Sequence, residues 1–552
     1  MGVLSLALTV SCGQSSSDGQ TPRGSEPNWW TEAGPGTDLP SSPKDAARFL
    51  TQASFAPTEN EMTGLSFAGF DAWFDHQRGV PSSLERPRLE ALAAQGMDVY
   101  QLQRVELWWD HAVNGEDQLR QRVAFALSEL LVVSDQMGKL RNAAFGLAEF
   151  YDILTRHSLG NFRDLIEEVT KSPVMGMYLS HLRNRRGDPA NFTSPDENYA
   201  RELMQLFTIG LVELGVDGTP LLDMNGAEIP SYEQRDVEEL ARVLTGWTFA
   251  NSSTFFNGDE DFVTPMESWD DYHDFGAKTL LGGHLIPAGL TPDEDLDAAL
   301  DIIFANQNLG PFLSIRLIQR LVTSNPSPAY VARVASVFND DGAGVRGNLG
   351  AVVKAILMDT EARTGHLKAP NEYGKLREPL IRLAGLWRTF DAKAVTGNYD
   401  YWNPQLQMGQ APLRSPSVFN FFDPEYTAPG PIRNAGLVSP EFQINTHQLT
   451  TTVCNELYER IYGAYPGFPD ADANTVTLHL EDELAAAADP GALLDHLELY
   501  LMPGGMTSGM RSMLEAHLSS TPMVTGDMPP GMRRVLDGIF LIVTSPEGSV
   551  QR

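Results

Sequence analysis

Cysteine is nearly absent: the 552 residues contain two, Cys12 and Cys454. Cys12 ends an N-terminal apolar run, so one cysteine is left for the body of the chain, which excludes a disulfide framework and a Cys-based zinc site. Cys454, one helical turn from Leu457 and Tyr458 in HQLTTTVCNELYERIY, is expected to be a small buried hydrophobe. Basic charge is also short. Forty Lys+Arg against 72 Asp+Glu leave a net charge of -32, so nucleic acid and anionic membrane surfaces are repelled, whereas a cationic ligand, a metal ion or a basic protein patch is not. Catalytic signatures are missing as well: no GxSxG, HExxH or GxxxxGKS/T, and no complete Ca2+ loop of the EF-hand type. The 11 histidines are scattered, none within four residues of another. That removes a local His-pair metal site and leaves open one assembled from distant segments.

What is present is apolar residue in quantity. A hydrophobic content of 42% is enough for a large core, and the length allows two to four domains or one unusually large one. The N-terminal run Val3 to Val10 is far too short to span a bilayer. Followed by Ser11 and Cys12, it resembles a bacterial lipoprotein signal over residues 1–12, with Cys12 acylated. No Lys or Arg precedes the run, which a start codon placed too far downstream would explain. By the same resemblance to lipoproteins, Gly13 rather than Asp after the cysteine favours outer-membrane sorting; an ordinary secretory signal or a disordered tail is the plain alternative. Residues 13–43, rich in Ser, Gly and Pro, read as a flexible tether. The expected location is therefore the bacterial outer membrane or periplasm, with membrane contact only through the lipid anchor.

From residue 44 to 552 the pattern is helical almost throughout, which predicts a mostly α fold with one large multi-helix core. Ser42-Pro43, Thr58 with Glu61, Asn161 and Ser172-Pro173 mark helix starts. Two stretches break the rhythm. Residues 211–232, with turn signals at Asp217-Gly218 and Asn225-Gly226, predict a small β-hairpin excursion. Residues 249–283 form a long acidic and aromatic loop, and residues 398–435 are irregular before a helical part at 436–552. GAGVRG at 342–347 fits the dinucleotide pattern GxGxxG but follows a helical rather than a strand pattern, so it is read as a helix-to-helix turn.

The stretch ENYARELMQLFTIGL (197–211) carries the densest polar content on an apolar helix. Ser194 as N-cap, Pro195, Glu197 closing a capping box and pairing with Arg201, and Gly210 as the stop account for part of it. Asn198, Glu202 and Gln205 remain on one arc and are candidate substrate contacts, Glu202 also a catalytic carboxylate. His273 beside Asp274 in the acidic loop is the candidate general base, its tautomer fixed by a carboxylate. It can equally hold the loop in place. Arg316, Arg320 and Arg377 either answer internal carboxylates or form a fork for an anionic substrate. Asp259, Asp261, Asp270 and Asp271 are candidate ligands for Ca2+, with a solvated acidic loop as the plain alternative.

AARFLTQASFAPTENEM, RQRVAFALSELLVVS, ENYARELMQLFTIGLVEL, DVEELARVLTGWTF, HDFGAKTLLGG, IRLIQRLVTSNPSPAYVARVASVF, GKLREPLIRL, SPSVFNFF and LIVTSPEGSVQR, in this order from about Ala46 to the end, resemble the bacterial family known as domain of unknown function 1800. The resemblance implies an exported protein, often encoded beside a second exported protein of the domain-of-unknown-function 1501 family, which is alkaline-phosphatase-like. It implies no activity. Two classes of function stay open: a cell-surface binding or accessory protein working with that partner, and a hydrolase of an extracellular substrate using a His/carboxylate site.

Overall fold

Many of the helix starts among the described residues are set by short polar side chains that satisfy free backbone N–H groups. In the computed structural model, which describes residues 29–552, Ser42 accepts from Asp45 N, Thr58 from Glu61 N and Asn161 from Arg163 N. Each opens a helix: Pro43–Ala53, Glu59–Gly79 and Phe162–Lys171. The expected signal, including Cys12, lies outside the described residues. The described part of the expected tether is held against the body rather than free. Trp29 stacks on His76 at 5.0 Å between ring centroids, and the Asp38 side chain accepts from Asp71 N.

Helix makes up 52% of the chain, and among the described residues strands form only small two-stranded antiparallel ribbons, so the fold is mostly α as expected. One hydrophobic core runs from Ala46 to Val543, with Trp73, Trp108, Trp109 and Trp387 fully buried in it. Helix Leu309–Leu321 lies at its centre, packed against Gln118–Ser128, Pro328–Asn339 and Leu349–Met358. No helix among the described residues is long and apolar enough to cross a membrane. Cys454 is half-buried and free, not fully enclosed.

The excursion at 211–232 is β-like, with bridges Val212 to Pro230, Leu214 to Pro220 and Leu222 to Glu228 and turns at the two predicted Gly positions. GAGVRG is a helix-to-helix turn, its Gly342 and Gly344 amides donating to Asp340. The acidic loop is folded: Phe255 stacks on Tyr272 at 3.9 Å and Trp247–Thr248 pairs with Glu267–Ser268.

The helix predicted from Ser194 starts later. Asn184 holds the Asp196 backbone at both its N–H and its carbonyl, keeping the chain extended through Pro195, and Asp196 Oδ1 accepts from Asn198 N. Helix Asn198–Glu202 then widens into a π-helix, Leu203–Thr208. The added residue per turn breaks the 100° phasing on which the polar arc rested. Thr208, in the π segment, is buried and donates to Leu203 O at 2.6 Å. The segment ends at Gly210 (φ 73), where a Cβ would meet the Phe312 ring.

The C-terminal strand Val550–Gln551 pairs with Lys375–Leu376. Around this ribbon Gln551 Nε2 donates to Leu321 O at 2.7 Å, and Arg377 Nη2 donates to Leu501 O at 3.1 Å and to Gly548 O. Burial and the nearby Arg382 lower the Arg377 guanidinium to about 10. Replacing it by an apolar side chain strands two carbonyls. Arg377→Met is therefore expected to lose about 2–4 kcal/mol of stability, measured by urea unfolding; a change within about 0.5 kcal/mol would show that the clasp is dispensable.

Candidate functional site

Six ionisable side chains from four separate stretches of the chain meet beneath a cavity. Glu129 stands at the C-terminal end of helix Gln118–Ser128 and Glu378 at the N-terminal end of helix Pro379–Thr389. Arg320 and Arg122 come from helices Leu309–Leu321 and Gln118–Ser128, Lys375 from the ribbon and Glu441 from the short turn Pro440–Gln443. All six are buried. Lys375 Nζ lies 3.0 Å from Glu441 Oε1 and 3.4 Å from Glu378 Oε1, and it donates to Arg320 O at 2.9 Å. Arg122 donates to the same carbonyl at 2.6 Å. Arg320 Nε is 3.3 Å from Glu129 Oε2. The Gln410 amide bridges the two glutamates, donating to Glu129 Oε1 at 2.9 Å and to Glu378 Oε2 at 2.6 Å.

The two carboxyls titrate in opposite directions. Burial first, and then the neighbouring Glu378 carboxylate, push Glu129 up to about 8. Burial also acts on Glu378, but Lys375, Arg122 and Arg320 outweigh it and hold that carboxyl below its usual range. Helix ends work the same way: a charge of negative sign is disfavoured at a C-terminus and favoured at an N-terminus. The proton of the pair therefore sits on Glu129.

Above this floor is a cavity of about 740 Å³, within the range of small-molecule sites. Its walls include Leu206, Ile209, Phe312, Ile315 and Val418, and its polar lining includes Gln205, Arg316, Arg320 and Asn420. The π segment supplies Gln205 and Leu206. Asn420 adopts φ 65, a left-handed backbone that Asn tolerates better than most residues, with its amide 3.5 Å from Glu129 Oε1.

This floor is built from the strings RQRVAFALSELLVVS, IRLIQRL, GKLREPLIRL and SPSVFNFF, together with Glu441. The family model described as "Protein of unknown function (DUF1800)" matches residues 48–548. The chain belongs to that family. In comparison with curated proteins and with solved structures, nothing matches.

In this DUF1800 chain the residues singled out from sequence separate into two groups. Gln205, Arg316 and Arg320 come together in the cavity. The others do not join them. His273 is wholly buried, Nδ1 2.9 Å from Thr245 O and Nε2 3.0 Å from Asp295 Oδ2, while Lys278 also bonds to Asp295. Both ring nitrogens are engaged, so the ring ties the acidic loop to helix Pro292–Ala305 and has no access to a ligand. Asp274 does not orient it: its carboxylate is gripped by Arg242 at 2.9 and 3.0 Å. Glu202 is buried, its carboxyl raised by burial, and shares no contact with His273 among the described residues. Asn198 is exposed at the helix start, and Arg377 belongs to the C-terminal clasp.

The acidic loop does not form the expected Ca2+ cage. Among the described residues no three His, Cys, Asp or Glu groups converge in a way that could hold a metal ion. Asp259, Asp270 and Asp271 are exposed. Asp261 turns back to accept from Val263 N and Thr264 N. The aromatic packing of the loop spreads these carboxylates apart, and neighbouring Glu260 is answered by Lys139.

Glu129, Glu378, Glu441 and Gln410 were outside the sequence-based candidates. Their signal is present as charge or amide set inside apolar or irregular strings, and Arg320 on its apolar helix lies 3.3 Å from an internal carboxyl, that of Glu129. The shifted Glu129 makes stability depend on pH. Between the ordinary glutamate value of 4.5 and about 8 the folded protein keeps a proton that the unfolded chain has lost. The stability this contributes is complete below the lower value and drains away as pH rises toward the upper one. Glu129→Gln should flatten that decline by at least about 1 kcal/mol between about pH 5 and about pH 8. Parallel denaturant titrations of wild type and variant check it, and equal slopes would refute it.

Proposed function

We propose that the protein is a binding protein of the bacterial cell surface, exported and anchored by lipid at Cys12, and that it works as an accessory to an alkaline-phosphatase-like partner of the domain-of-unknown-function 1501 family. The observation that carries this reading is the cavity of about 740 Å³ with apolar walls and an Arg-bearing floor. It has the size and lining of a site that holds a small molecule. The absence of nucleophile motifs supports binding over turnover. Hydrolysis by a His273–carboxylate pair draws no support from the same geometry, because His273 is enclosed and bonded at both nitrogens. The β excursion adds a surface a protein partner could use, with Leu222 and Met224 exposed on it.

Ile315, on the cavity wall, tests the binding role. Extract from the spent medium of a bacterial culture is expected to raise the thermal midpoint of the wild type by a few degrees through mass action. Ile315→Trp, which fills the cavity, should not respond. Equal responses would place any ligand elsewhere and end the reading.

The anchor has its own test. Expressed from the correct start codon, wild type should sediment with membranes, while Cys12→Ser should appear in the soluble fraction. Identical fractionation of the two would remove the lipid anchor.

A further inference from the structure

Most buried arginines of this protein donate at least one hydrogen bond, although Arg104, Arg122, Arg363, Arg377 and Arg382 each leave a guanidinium nitrogen without a hydrogen-bond partner. Arg414 makes a forked pair with Asp135 at 2.6 and 2.8 Å, and Arg388 meets Glu61 at 2.8 Å and two backbone carbonyls. Arg316, on the cavity rim, is held by Glu425 at 2.8 Å. Arg320 is different. Its side chain is 6% exposed, yet among the described residues its guanidinium donates no hydrogen bond, and Nη1 is buried without a partner. The Glu129 carboxyl, 3.3 Å from Nε, and the Phe422 ring at 4.4 Å beneath its plane hold it in position. A guanidinium has five N–H donors in a planar fork, and a buried one left without acceptors is costly. It lines the cavity.

The charge around it is unbalanced in the same sense. Arg122, Arg320 and Lys375 face Glu378 and Glu441, while Glu129 carries a proton, so the floor has one formal positive charge in excess. A chain of net charge -32 repels anions in general, which makes one internal positive site selective for a single negative charge.

We propose that the cavity floor is a carboxylate-binding subsite, in which the Arg320 guanidinium takes the acid end of an organic ligand whose apolar body lies along Phe312, Ile315 and Val418. This rests on the cavity being the ligand site. Planar carboxylate matches the planar fork, and an inorganic anion would leave the apolar walls uncovered. Asn420 and protonated Glu129 stand beside the fork as further donors. Glu129 sets the pH range of the subsite. It faces Glu378, Arg320, Lys375, Arg122, Gln410 and Asn420, and on losing its proton it cancels the excess charge and competes with the ligand for Arg320.

Isothermal titration calorimetry on the full chain tests this with four probes: decanoate, N-acetyl-leucyl-phenylalanine, and the primary amide of each. At least one acid should bind about tenfold or more tightly than its amide, and which acid does so separates a free organic acid from a peptide carboxyl terminus. Arg320→Gln should erase the difference. Should that variant misfold, Arg320→Lys keeps the charge, loses the fork, and should still weaken the acid selectively. Wild-type affinity for the acid should fall by about tenfold between about pH 6 and about pH 9, and Glu129→Gln should hold it level. Acid and amide bound equally by the wild type would overturn the subsite and leave the cavity as a binding site. Preference retained in both Arg320 variants, affinity indifferent to pH, or no binding of any probe would overturn it too.

Discussion

Removing a charged group from water costs several kcal/mol per ion unless partners replace the lost hydration. Five such groups and the protonated Glu129 meet beneath the cavity, and the ends of several elements converge because of it. Helix Gln118–Ser128 stops where Glu129 must reach Arg320 and Gln410, and helix Pro379–Thr389 begins where Glu378 must face Lys375. The carbonyl of Arg320 is held by both Arg122 and Lys375. The end of the central helix is thus fixed by donors from a neighbouring helix and from the ribbon. Removing any one partner would leave a buried charge exposed to the others without compensation.

The C-terminal clasp follows from this constraint. Lys375 can approach the glutamates only if its strand is held against the central helix, and among the described residues that strand's ladder partner is Val550–Gln551. Gln551 in turn caps the carbonyls of Leu321 and Val322 at the end of the same helix. The chain end is therefore part of the support of the cavity floor, although it lines none of it. The π-helix supports the opposite wall: by widening after Glu202 it turns Gln205 and Leu206 to the cavity and packs Thr208 inward.

Helix-forming periodicity and caps were legible residue by residue. Ser42, Thr58 and Asn161 do what short polar residues before an apolar repeat do, and the two Asp/Asn-Gly turns lie where expected. The helix start at Ser194 was misread because its competitor, the Asn184 side chain on the Asp196 backbone, is distant enough in sequence to leave no local pattern. The π segment was invisible for a related reason: an extra residue in a turn shifts the phase without changing composition. His273 next to Asp274 suggested a dyad, yet adjacent residues on an extended backbone point apart. His273 turned instead to Asp295 and Asp274 to Arg242. The candidate site was half legible. Arg316, Arg320 and Gln205 could be singled out as polar residues on apolar helices, whereas Glu129 and Glu441 acquire meaning only when tertiary contacts bring them together.

The asymmetry of the carboxyl pair explains why the floor can be stable and still receptive to an anion. Two carboxylates this close cannot both ionise cheaply, and the fold decides between them by surrounding Glu378 with Lys375, Arg122 and Arg320, whereas burial dominates at Glu129; the helix ends act in the same sense. Glu378 then serves as the fixed counter-charge to Lys375 and Arg122, and the neutral Glu129 holds Arg320 in place without satisfying it. Were the proton on Glu378 instead, Glu129 would neutralise Arg320 and the floor would be closed to anions. The position of one proton, set by burial of Glu129 and by the cations around Glu378, therefore determines whether the Arg320 fork is available to the cavity.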